Sequence, residues 1–275
     1  MRKLLSLVSL SLIAVLLVPS VAFAAKPTAP TAEMVGYDVS YPQCGKTLPT
    51  NHYFGIVGVN GGTAASYNPC LTEQLIWAKS AKVGSNQPAV QVYVNTANPA
   101  QDIAYKWGNW PTSGTTPYGD CTGLKTNNEA CSWQYGWNRS VETEAYFVDK
   151  AQAAGISTDT VNYTWWLDVE TMNSWQSGSA EALARNRAAI EGFAAYYQSK
   201  NATVGLYSTA YQWGQIVGTT SITDGNLVGL PNWRPSGKSL ANAKSNCNVA
   251  PLTSGGFISL TQYVVKNLDH NHSCI

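Results

Sequence analysis

Short apolar runs alternate with stretches of helical period along most of this chain. Residues 34–41, 54–60, 89–95, 203–208 and 257–263 read as strands, since each gathers β-branched and aromatic residues into a short block. Residues 227–233 read as a sixth strand of this kind. Between the strands, apolar residues return every three or four positions. Leu71, Leu75, Ile76 and Ala78 mark a helix over 68–81, with Asn68 as N-cap and Pro69 at its first position. Val141, Ala145 and Val148 mark a second over 140–154. The clearest helix is 179–199, capped by Ser179, with Leu183, Ile190, Phe193 and Tyr197 on one side. A shorter one runs through Ile216. Strand then helix, repeated four or five times, predicts an α/β fold with a parallel sheet and crossover helices.

One stretch departs from this alternation by carrying charge. Tyr163-Thr164-Trp165-Trp166-Leu167-Asp168-Val169-Glu170-Thr171 begins as a buried strand and ends in two acids. Side chains alternate along a strand, so Asp168 and Glu170 point the same way. Ionised carboxylates resist leaving water, and close like charges push one pKa up. Such a pair suits a glycosidase, with Glu170 as proton donor and Asp168 as its partner. The bland alternative is a helix cap or a loop-binding acid. Asp38, Asn60, Asn95, Tyr207 and Gln262 also fall at or near strand ends, where barrel folds place their chemistry. This convergence favours a cleft.

Composition narrows the setting. Arg2 and Lys3, the apolar run 4–18 and Ala22-Phe23-Ala24 read as a secretory signal over 1–24, and 25–34 as an extended leader. Residues 35–275 suit a single domain of barrel size. A soluble secreted, extracellular monomer is expected, with no membrane contact after signal cleavage. There are 17 basic and 16 acidic residues, and no basic stripe that would hold nucleic acid. Ten Trp and fifteen Tyr, set among neutral hydrogen-bonding residues, suit a sugar polymer. Six cysteines in an exported chain imply disulfides, and they allow 15 pairings. Neighbour pairing is adopted here: Cys44–Cys70, Cys121–Cys131 and Cys247–Cys274. No Cys-x-x-Cys or His cluster supports zinc, so neither metal nor cofactor is expected. Residues 97–137 break the pattern and read as a long Trp-rich insertion, stapled by Cys121 and Cys131.

Four motifs occur in one order: Gly36-Tyr37-Asp38-Val39-Ser40, Asp168-Val169-Glu170, Gly205-Leu206-Tyr207-Ser208, and Gln262-Tyr263 followed by Asp269 and Asn271. The set resembles the family 25 glycoside hydrolases, secreted lysozyme-type muramidases, and spans 35–271. The resemblance implies an irregular TIM-like β/α barrel with fewer than eight helices. It implies cleavage of the β-1,4 bond between N-acetylmuramic acid and N-acetylglucosamine in peptidoglycan. Glu170 would be the general acid, Asp168 would steer the substrate's own 2-acetamido group, and Asp38 and Asp269 would line the cleft. Pro42-Gln43-Cys44, the insertion and residues 232–235 depart from the family's pattern, which bears on the identity of the glycan. The alternative is a secreted, non-catalytic glycan-binding or cell-surface barrel.

Overall fold

The computed structural model describes residues 34–100, 108–124, 126–218 and 222–275. The expected signal, nearly all of the leader and Trp107 lie outside these residues. Eight strands close a barrel: β1 (Gly36–Val39), β2 (Gly55–Gly58), β3 (Val90–Asn95), β6 (Thr164–Asp168), β7 (Thr203–Tyr207), β8 (Pro231–Pro235), β9 (Phe257–Val265) and β10 (Leu268–Ser273). A separate hairpin joins β4 (Ser113–Thr116) to β5 (Gly119–Thr122). Neighbouring barrel strands are parallel except for β10, which runs antiparallel to both β1 and β9. Five helices are described: α1 (Leu71–Lys79), α2 (Glu129–Ala153), α3 (Ala180–Ser199), α4 (Ala210–Val217) and α5 (Leu240–Asn246). The fold is thus the irregular, helix-poor α/β barrel expected from the sequence.

Strand alternation divides the apolar residues into two layers. On β6, Trp165 and Leu167 face outward into the layer beneath the helices, where Trp165 stacks on Tyr197 of α3 with ring centroids 4.3 Å apart. Trp166 faces inward and joins Phe54, Ile56, Tyr207, Trp233 and Leu260 in filling the barrel. Such large rings fit because the strands beside them carry glycine. A Cβ on Gly36 would come within 2.1 Å of the Phe54 ring, and one on Gly205 within 2.2 Å of Trp166.

Several expectations need correction. Helix α2 starts at Glu129, eleven residues before the expected start, because the Asn128 side chain caps it by accepting from the Cys131 N–H. Trp133 and Trp137 are therefore helical and stack on each other, and 113–122 is the hairpin, so 97–137 is not one open loop. Val141 and Ala145 are exposed, and the buried face of α2 includes Ser140, Thr143, Phe147 and Ala151. Gly136 lets α2 meet α3 backbone to backbone, since a Cβ there would lie 2.1 Å from the Ala189 carbonyl. Helix α1 begins at Leu71 after Cys70, and Ile76 faces solvent. The sixth parallel strand is Pro231–Pro235 rather than 227–233. Residues 268–273, read as a tail, form β10 after a tight turn in which Lys266 and Asn267 both take positive φ.

The disulfides are Cys44–Cys70, Cys121–Cys131 and Cys247–Cys274. They tie the turn after β1 to α1, the hairpin to α2, and α5 to the end of the chain.

Candidate active site

The C-terminal ends of the parallel strands open onto a cleft of about 200 Å³ lined by Asp38, Tyr93, Asp168, Glu170, Tyr207, Trp233, Gln262 and Asp269. A second compartment of about 210 Å³ continues it past Ser40, Tyr41, Asn95 and Met172, sharing Asp38, Asp168, Glu170 and Asp269. Four carboxyl groups thus line one groove.

Each arrives by strand geometry. Asp168 is the last residue of β6 and points inward, like Trp166 two positions earlier. Its backbone pairs with Asn95 on β3 and Tyr207 on β7, so all three side chains share the inner face. Asp38 on β1 pairs with Asp269 on β10 in the same way. Glu170 lies just beyond β6, at the rim. Its carbonyl accepts from Trp175 Nε1 at 2.8 Å, and Thr171 N–H donates to Gln212 Oε1 at 2.7 Å, which sets the loop's path.

Buried carboxyls at such density need donors. Asn95 Nδ2 donates to Asp168 Oδ2 at 2.6 Å. Gln262 Nε2 reaches both oxygens of Asp38 at 3.1 Å, and Asn271 Nδ2 donates to its Oδ2 at 2.7 Å. Gln262 Oε1 accepts from the Tyr207 hydroxyl at 2.8 Å, and Asn271 Oδ1 from Trp233 Nε1 at 2.8 Å, which fixes both amides. Asp168 Oδ1 is buried and has no donor.

These surroundings raise every acid in the groove. Burial, and then the charge of Asp269, push Asp38 up to about 8 against the pull of Asn271 and Gln262. Burial and the neighbouring Glu170 raise Asp168 well above the carboxylate range, with Asn95 opposing. Glu170 is raised, mainly by burial, with the Gln212 side chain opposing. Asp269 is raised by burial, with His270 opposing. The Asp168 and Glu170 carboxyls come within hydrogen-bonding reach, which two carboxyls can use only when one holds a proton. They titrate as a pair that keeps a proton to higher pH than free acids would.

Of the residues singled out in the sequence, Asp38, Asn95, Asp168, Glu170, Tyr207, Gln262 and Asp269 come together here. Asn60 does not line the groove. Its Oδ1 accepts from the Asn95 N–H at 2.9 Å and its Nδ2 donates to the Ser66 carbonyl at 3.0 Å, so it braces β3 from behind. Tyr93 and Trp233 were missed. Tyr93 sits two residues before Asn95 and therefore shares its face, which was a readable signal. Trp233 ended the expected sixth strand and was not counted among the site residues. Among the described residues, no group of three or more His, Cys, Asp or Glu is arranged to hold a metal ion.

Residues 136–246 match the family model for lysozyme-like protein 1. The matched segment contains Asp168, Glu170 and Tyr207 and leaves Asp38, Gln262 and Asp269 outside. Comparison with curated proteins gives no match. Among solved structures, the chain is similar to the modular Cpl-1 endolysin complexed with a peptidoglycan analogue, at 13% identity over 87% of this chain and 53% of that one, with a TM-score of 0.45. It is similar to the modular autolysin LytC of Streptococcus pneumoniae at 11% identity over 86% and 46%, TM-score 0.44. It is also similar to a muramidase from Trichobolus zukalii at 14% identity over 87% and 93%, TM-score 0.45. The chain spans about half the length of the first two.

Proposed function

We propose that this chain is an exported glycoside hydrolase that cleaves β-1,4 bonds in peptidoglycan, with retention of anomeric configuration and assistance from the substrate's 2-acetamido group. The observation that carries the reading is the unpartnered Asp168 Oδ1, buried beside Glu170 at the base of a groove. A buried acceptor without a donor is costly, and a substrate N–H would satisfy it. Accepting that N–H favours the ionised form of Asp168. The proton shared by the pair then resides on Glu170, where it is needed.

The steps follow from that arrangement. Glu170 donates its proton to the glycosidic oxygen as the bond to the anomeric carbon breaks. The acetamido carbonyl oxygen attacks that carbon, and Asp168 holds the N–H and balances the developing charge. Glu170, now a carboxylate, takes a proton from water as the water opens the cyclic intermediate on the face the leaving group left. The scheme is an exception to the use of two enzymic carboxylates. Asp38 is poorly placed to act as nucleophile instead, since Gln262 and Asn271 already occupy its oxygens. The partly exposed Tyr93 supplies an aromatic wall for the sugar rings.

Export is supported by the signal-like segment 1–24 and by three disulfides, which persist in oxidising compartments. No helix among the described residues is long and apolar enough to cross a membrane. The test is release of reducing ends from purified peptidoglycan by the mature protein and by its Glu170→Gln variant. The parent should release them, and the variant should be slower by about two to four orders of magnitude. Equal rates would refute the assignment of Glu170. No release by either, with the polymer still bound, would favour a binding barrel.

A further inference from the structure

The groove is acidic, with four carboxyls on its walls and no cationic side chain, Lys, Arg or His, lining either compartment. The ion pairs among the described residues involve Glu142, Asp149, Glu191, Asp224 and Glu144, and none of the four groove acids. His270 follows Asp269 directly, but its ring packs between Tyr37 and Tyr263, as expected of the next residue along a strand. Asp38 and Asp269 are direct partners across β1 and β10, so their carboxyls project from one face at the separation of a cross-strand pair. Like charges in that position are destabilising. Asp38 is met by neutral amides alone, and the half-buried Asp269 carboxyl forms no hydrogen bond or ion pair among the described residues, with only the charge of His270 opposing its shift. Across the groove, Asp168 Oδ1 is buried without an amide, hydroxyl or cationic donor among the described residues, and the neighbouring Glu170 carboxyl can donate to Asp168 only while it holds a proton.

We propose that the groove binds a protonated amino sugar, a hexosamine unit that has lost its N-acetyl group, with its ammonium held between Asp38 and Asp269. The inference rests on the glycan-cleaving reading above and extends it to N-deacetylated strands. Three features select this chemistry. An ammonium provides the donors that Asp269 lacks and the positive charge that the paired acids lack. The partly exposed Tyr93, which lines both compartments, suits a pyranose rather than a bare cation. The groove also continues into a second compartment, so an oligomer can place an amino sugar against Asp38 and Asp269 while a neighbouring unit lies elsewhere. Where the unit that must supply the acetamido group lacks it, the assisted step has no nucleophile. A fully deacetylated oligomer therefore binds and blocks.

The test is calorimetric titration of the full mature protein with a glucosamine tetramer, an N-acetylglucosamine tetramer and tetralysine, at low and high salt. The glucosamine tetramer should bind at least tenfold more tightly than either of the others, and salt should weaken it. Asp269→Asn should cost it at least tenfold and weaken it more than it weakens N-acetylglucosamine binding, and Asp38→Asn gives a second measure should the first variant fold poorly. Equal binding of the two sugars, or an unchanged glucosamine affinity in both folded variants, would overturn the proposal. Tetralysine binding as tightly would overturn it as well, by reducing the effect to charge alone. Binding is read without turnover. Selective amine binding by a protein inert on peptidoglycan would leave this inference standing and remove the catalytic one; an active protein indifferent to the amine would do the reverse.

Discussion

Replacing Asp38 with asparagine should stabilise the protein near neutral pH and destabilise it only below about pH 4.5. In the folded protein Asp38 loses its proton only near pH 8, against 3.8 for an ordinary aspartate. Between those values the folded chain holds a proton that the unfolded chain has released. Stability therefore falls as pH rises through this window, and the loss is complete above about pH 8. Each pH unit is worth about 1.4 kcal/mol, so the step from about pH 5 to about pH 7 costs the parent roughly 3 kcal/mol through Asp38 alone. The substituted amide does not titrate and escapes this loss. It does give up an acceptor, since one amide oxygen cannot serve both Gln262 and Asn271, at a pH-independent cost of about 1 kcal/mol. The two stability curves should cross near about pH 4.5, where the loss through Asp38 reaches about 1 kcal/mol. At about pH 5 the variant already melts slightly above the parent, and at about pH 7 well above it. The difference in Tm should move by roughly 6–12 °C between the two conditions for a chain of this size. Thermal unfolding of both proteins with disulfides intact, across that range, is the assay. A Tm difference that stays flat with pH would show that Asp38 does not carry a buried, destabilised charge, and the electrostatic account of the groove would fall with it.

Other expectations follow from single contacts. Asn95→Ala removes the donor that stabilises ionised Asp168, so the acid limb of the activity–pH profile should move to higher pH; an unmoved limb would separate Asn95 from the pair. Gly192→Ala would drive a methyl within 2.0 Å of the Trp133 carbonyl where α2 crosses α3, and should cost several kcal/mol in urea unfolding, against about 1 kcal/mol gained at an ordinary helical glycine. Replacing Cys247 and Cys274 by Ser reopens a link across 27 residues and should cost about 3 kcal/mol, read as a lowered denaturation midpoint. Because Asp168 and Glu170 share a proton, activity should persist to higher pH than an unperturbed glutamate would permit, and Asp168→Asn should shorten that alkaline reach.

Much of the groove was legible before any coordinates. The inward direction of Asp168 and Glu170 follows from the two-residue period of a strand, a property of the chain itself, and the same period would have revealed Tyr93 from Asn95. The parallel arrangement was equally readable from strands separated by apolar helices. Local pattern failed where a neighbour distant in sequence supplies the stabilisation. Strand β10 carries His270, Asn271 and His272, with no apolar alternation to announce it; it is a strand because β1, more than two hundred residues earlier, and β9 take its backbone hydrogen bonds. The first turns of α2 were obscured by Trp133, Gly136 and Trp137, poor helix formers whose places are secured by packing against α3 and by the Asn128 cap. Asn60 looked like a groove residue, and only the tertiary fold turns its amide toward the β3 backbone and away from the sugar site. Sequence alone determined which residues are acidic and which way each strand's side chains alternate. Closing the barrel decided that β1 and β10 would stand side by side, placing Asp38 against Asp269, since burial and mutual repulsion exist only once distant strands share a wall.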